Sequence, residues 1–153
     1  MRSSVPSTIF TVLILFLSLI VLPIYFISII DWRDDMNTVQ TASRNFVDKV
    51  IDTGHITDDM VADMNLQLAS CSSTFTWTIY KEAKVTNPDP AHPGQTITTW
   101  EYTECDFDTE FATGDIIEIE VDQVTINLFQ RISATMLGAN YNNRQCRLAG
   151  MVR

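Results

Sequence analysis

Nine acidic side chains fall between Glu101 and Asp122, with no basic residue among them. Four of these, Asp106, Asp108, Glu110 and Asp115, could bind calcium through oxygen ligands, although their spacing is not that of an EF-hand. Acidic loops on an acidic protein are ordinarily solvated, and a catalytic acid needs a pocket that raises its pKa. A hydrolase would require Asp106, Asp108 and Glu110 to converge on a concavity, whereas the local alternation aims such carboxylates at water. His55 and His92 lie in a helix-exit loop and a proline loop, outside any HExxH, triad or Gly-rich phosphate pattern. Cys71, Cys105 and Cys146 fit neither a zinc nor a CxxC spacing. Outside the cytoplasm they predict one disulfide, from any of three pairings, with the remaining thiol able to link two chains. No catalytic residue, cofactor or resident metal is expected.

The element that decides where these residues work is the run from Ile9 to Ile30, which contains no charged side chain. As a helix it extends roughly 33 Å, enough to cross a bilayer core of about 30 Å. It is longer than the apolar stretch of a secretory signal, and Ile29-Ile30-Asp31-Trp32 offers no small-x-small cleavage site, so an uncleaved anchor is expected. Pro23 inside the run should kink or loosen one turn. Arg2 precedes the span, whereas all 19 acidic residues lie at or after Asp31. The flanks predict a cytoplasmic N-terminus and an extracellular C-terminal portion in the cell membrane. That acidic portion, in a chain of net charge −9, repels phosphates and excludes a nucleic-acid partner.

Three segments follow: 1–30, cytoplasmic start and transmembrane helix; 31–54, a stalk helix continuing the span; and 55–153, an extracytoplasmic α+β domain. The stalk is read from Ile29, Trp32, Met36, Val39, Phe46 and Val50, spaced by threes and fours with Ser43 at the missing step. Such a seam needs a partner, either the chain's own sheet or another helix. Gly54 closes it. A second helix fits Asp58 to Ser70, capped by Thr57, with Met60, Val61, Met64, Leu66 and Leu68 on its buried side.

Beyond Cys71 the period becomes two. Phe75, Trp77 and Ile79 mark a strand, residues 87–94 a proline-rich loop, and Ile97 to Phe107 a second strand. The two form a hairpin with Trp77 and Trp100 as expected cross-strand neighbours. Asp115 to Ile126 forms a third strand with Ile117, Ile119 and Val121 on one face and a phase shift near Gln123 that predicts a bulge. Asn127 caps a helix with Leu128, Ile132 and Met136 inward and Gly138 at its end. The acid-free tail Arg144 to Arg153 reads as a last strand, guided by charges on the third.

The chain resembles pilin-like proteins of type IV pilus, type II secretion and tight-adherence machines, and more specifically TadE-like minor pilins of Flp-type systems in Gram-positive bacteria. The resemblance is carried by Asn45-Phe46-Val47-Asp48-Lys49-Val50, Thr53-Gly54-His55-Ile56-Thr57, Gly114-Asp115-Ile116-Ile117, Leu128-Phe129-Gln130-Arg131-Ile132 and Gly150-Met151-Val152-Arg153. It implies a transmembrane helix extended into a stalk and packed on a small antiparallel sheet. Ser7-Thr8-Ile9-Phe10 lacks the small residue at which such precursors are usually cut, and no acid occurs before Asp31. The resemblance therefore implies a minor or scaffold component that stays in the membrane. Its partners would be the lipid bilayer, other pilin-like or assembly-platform membrane proteins, and a second copy of itself. The competing reading is a membrane-anchored binding or sensing module with Val85 to Thr96 as its recognition edge.

Overall fold

The computed structural model describes residues 5–92, 94–138 and 145–153. It is an α+β protein in which a long N-terminal helix runs beneath a four-stranded antiparallel sheet. The helix comprises α1 (Val5–Phe16), a π-helical stretch Leu17–Val21, and α2 (Leu22–Thr53), continuous past residue 30. The widened stretch has a simple origin. Pro23 has no N–H to give to Leu19, and its ring would strike the Leu19 carbonyl in a regular α-helix. The turn around Leu19 opens instead, with the Leu22 N–H donating to the Leu17 carbonyl. Gly54, at φ 73°, stops α2 by donating its N–H to the Val50 carbonyl.

Helix α3 (Asp58–Ala69) starts at Thr57, whose side chain accepts from the Met60 N–H. Met60, Met64 and Leu68 turn inward at intervals of four, while Leu66, expected inside, is 72% exposed. Strands β1 (Phe75–Pro88), β2 (Thr96–Glu104), β3 (Ile116–Gln123) and β4 (Gln145–Met151) lie in the order β2-β1-β3-β4. β1 reaches Pro88, paired with Thr96, so the first two residues of the expected loop belong to the hairpin.

Register fixes the faces. Ile79, Ile119 and Leu148 align across β1, β3 and β4, as do Lys81, Ile117 and Gly150. Ile79, Ile117, Ile119 and Val121 are buried against Val39, Phe46, Val47 and Val50 of α2, and Phe111 and Val152 complete the core. Trp77 belongs to this inner face, with its ring 5.2 Å from Phe46, whereas Trp100 is opposite Lys84 on the outer face. The expected tryptophan pair is therefore corrected: the two rings lie on opposite sides of the sheet.

β3 ends at Gln123 without a bulge. Gln123 is 2% exposed and exchanges hydrogen bonds with Gln130 of α4 (Leu128–Leu137), at 3.0 and 2.9 Å. Asn127 and Gln130 form a reciprocal capping box. The inward face of α4 differs from expectation: Leu128 and Met136 are 47% and 78% exposed, while Gln130 and Ser133 are buried.

Candidate functional site

The sequence seam divides into two parts. Val39, Phe46 and Val50, with Ser43, are 2% exposed or less and belong to the chain's own core. Ile29, Trp32 and Met36 are half-buried. Trp32 and Met36 line a cleft with Arg33, Asn37, Gln40 and Cys146 at the β4 side of α2. The upper seam thus has its partner within the chain, and only the lower three residues retain surface for another molecule.

Within the lower part, one residue before Met36, sits Asp35, 5% exposed and charged on an otherwise apolar side of the helix. Its carboxylate accepts from the Ser72 N–H at 2.8 Å, the Ser72 hydroxyl at 2.8 Å and the Ser73 N–H at 3.0 Å. The arrangement clamps the turn after α3 onto α2, satisfying two backbone donors with one charged acceptor. Beside it, burial and then the Asp35 charge push the Cys71 thiol up to about 11.

The three cysteines are all free. Cys71 lies at the end of α3 with Sγ 3.7 Å from the Gln67 carbonyl, Cys105 follows β2 near the Thr103 carbonyl, and Cys146 sits on β4 facing α2. They occupy three separate neighbourhoods, so the expected disulfide does not form. Burial raises the pKa of Cys105 and Cys146 as well, which disfavours the reactive thiolate.

The acidic cluster is likewise taken apart by the fold. Asp115 is paired with Lys81 at 2.9 Å and accepts from the Ala112 N–H at 2.8 Å. Lys81 also donates to the Glu110 carbonyl and lies over the Phe111 ring. Glu110 forms a backbone bridge with His55, and Asp106 accepts through its carbonyl from Thr109. Among the described residues no group of three His, Cys, Asp or Glu side chains could hold a metal ion. Asp106, Asp108, Glu110 and Asp115 are not gathered into one site, and Asp115, the enclosed carboxylate among them, serves an ion pair with Lys81. Both histidines are exposed; His92 bonds Asp89 at 2.8 Å, and that bond holds the Asp89 carboxyl below its ordinary range.

One surface carries the expected charge pairing of the last strand with the third, and another escapes the sequence reading. On the outer sheet face, Arg147 of β4 reaches Glu118 at 2.6 Å, Glu120 at 3.9 Å and the Tyr102 hydroxyl, and Tyr102 stacks on Tyr80 at 4.8 Å. This polar band crosses all four strands. The other is the contact of α4 with the apolar half of the long helix. Phe129 packs on Tyr25 and Trp32 at 5.3 and 5.9 Å, the Tyr25 and Ser133 hydroxyls are 3.4 Å apart, and Asn127 donates to the Ser28 carbonyl. An apolar cleft of about 330 Å³ remains between Leu17, Val21, Leu22 and Tyr25 on one side and Ile132, Ser133 and Met136 on the other. Phe129 near the start of an acid-free helix was the available signal.

The segment from Thr8 onward is long and apolar enough to cross a membrane, and its most apolar window has no buried residue. Comparison with family models, curated proteins and solved structures gives no match for this chain.

Proposed function

We propose that the protein is a non-enzymatic, single-pass membrane component of a pilus or type II secretion-like assembly, of the minor pilin-like or scaffold kind, with its α+β domain outside the cell. The observation that carries this reading is one unbroken helix with two environments. From Ile9 to Ile30 its apolar side chains are largely exposed, and from Val39 to Val50 the same helix is the floor of the domain core. A stiff connection of this kind transmits the position of the membrane segment to the sheet without a hinge. Packing through the bare helix and the lower seam residues Ile29, Trp32 and Met36 supplies contacts with pilin-like or platform membrane proteins, or with a second copy.

Photocrosslinking in the native host tests this. Benzoylphenylalanine at Ile20, Ile27 or Met36 is expected to join the protein to pilin-like or platform membrane proteins. Adducts to lipid alone at all three positions would reject the assembly role. A second reading, a membrane-anchored binding module, draws on the β1–β2 hairpin. Residues 83–88 of β1 pair only with β2, every residue of β2 is exposed, and Ile97, Trp100 and Tyr102 display large apolar surfaces. Crosslinks from Ile97 to an extracellular protein, with none from the helix, would favour it.

A further inference from the structure

We infer that α4 is inserted in the leaflet on the domain side of the membrane, with acyl chains covering its exposed apolar side and entering the cleft between α4 and the long helix. This rests on reading residues 9–30 as a bilayer span.

Position along the helix carries the inference. Asn127 at the start of α4 touches the Ser28 carbonyl, and Ile132 and Met136 near its end reach the level of Leu17 to Leu22. The helix thus descends beside the second half of the span. Were the bilayer surface placed beyond the tip of α4, only residues 9–16 would remain to cross it, roughly 12 Å at about 1.5 Å per residue. Even a start at Val5 leaves roughly 18 Å, against a hydrocarbon core of about 30 Å. A span of sufficient length includes the level of α4.

The chemistry of the region matches that level. Backbone and side-chain polar groups in a bilayer must be satisfied internally. Ser18, Ser28 and Thr135 each donate to the carbonyl four residues earlier, at 2.9, 3.0 and 2.9 Å. Ser133 meets Tyr25, and Gln123 and Gln130 bond each other. Met136, Leu128 and Ile126 are 78%, 47% and 41% exposed, and Met136 shares the cleft with the exposed Leu17 and Leu22. No acid occurs after Asp122 in a chain that is otherwise acidic, and Arg131 is the only charged side chain of α4. An exposed arginine can extend its guanidinium to lipid phosphates while its stem stays in an apolar layer.

The full chain reconstituted in phosphatidylcholine–phosphatidylglycerol vesicles, with benzoylphenylalanine replacing Met136, Leu19 or Trp100 in turn, tests the inference by mass analysis of lipid adducts after irradiation. Met136 is expected to label lipid at a level comparable with Leu19, and Trp100 at background. Labelling at Leu19 without Met136 would overturn the insertion of α4 while leaving the span intact. Adducts from Met136 to a second copy would also overturn it, by naming protein as the cover. Absence of lipid adducts at both Leu19 and Met136 would reject the span itself, and equal labelling at Trp100 would remove any selectivity for α4.

Discussion

The two halves of the long helix contrast within a single element. Leu19 is 71% exposed among other apolar side chains, whereas Val50, on the same helix, is fully buried. The first half is almost wholly apolar, whereas residues 31–53 hold no Leu, one Ile, one Phe and three Val, and the two patterns differ. The first is apolar all round, which suits a uniformly apolar solvent, and the second is apolar on one stripe, which suits a sheet on one side and water on the other. Environment is therefore written both in how much of each half is apolar and in the width of the apolar stripe.

The sharpest way to break this contrast is a matched pair of truncations. Phe46→Ala removes a 2% exposed ring that packs on Trp77, and a loss of about 3 to 5 kcal/mol in denaturant unfolding is expected. Leu19→Ala should leave the same measurement within about 0.5 kcal/mol. Equal effects at both positions would show that the lower half is also folded against protein. Replacing Met36, Val39 and Phe46 together with glutamate does not probe a partner, because Val39 and Phe46 are core residues.

Asp35 marks the boundary between the halves, and its removal is the next largest effect. Asp35→Ala leaves the Ser72 and Ser73 N–H groups without their charged acceptor, with an expected cost of about 2 to 3 kcal/mol. Asp35→Asn removes the charge that helps to raise the Cys71 pKa. A lower pKa gives more thiolate at a fixed pH, so maleimide should modify Cys71 faster in that variant. An unchanged rate would leave burial as the whole cause. Wild-type protein purified without reductant should titrate three free thiols after unfolding.

Close approach of the sheet to the upper half rests on Gly150. A Cβ there would collide with Ile51 Cδ1 and come within 2.9 Å of Val47 Cγ1. Gly150→Val is expected to lower stability by about 1 to 3 kcal/mol through overpacking, read as an earlier denaturant midpoint. An unaltered midpoint would mean that β4 can lift from α2 freely.

Local signals made part of this legible. The charge-free run, the Gly54 stop, the Thr57 and Asn127 caps and the Ile117, Ile119, Val121 alternation depend on neighbours in sequence, and the fold keeps them. What failed depended on pairing between distant segments. Trp77 and Trp100 were assigned to one face without knowledge of register, and a one-residue offset moves a side chain across the sheet. Asp115 read as one carboxylate of an acidic loop because Lys81, its partner, lies on another strand. The helical period of α4 is legible in the sequence, but the expectation that Leu128 and Met136 face inward is not met. Its neighbour on the inward side is the apolar half of the long helix, so Phe129 and Ser133 face in and Leu128 and Met136 face out.

Among the described residues α4 is the helix that ties the domain to the lower half, and Asn127 is common to its cap and to that attachment. Its side chain caps α4 by accepting from the Gln130 N–H at 2.9 Å and also donates to the Ser28 carbonyl at 3.3 Å. Asn127→Ala is expected to cost about 1 kcal/mol, less than the core and Asp35 variants, and to concentrate it in α4. Hydrogen exchange should accelerate over residues 128–136 while β3 and the core of α2 keep their protection, because Ile117, Ile119 and Val50 make no use of the cap. Acceleration spreading equally into β3 would show that α4 and the sheet unfold together, and the two halves of the helix would then have to be treated as one cooperative unit.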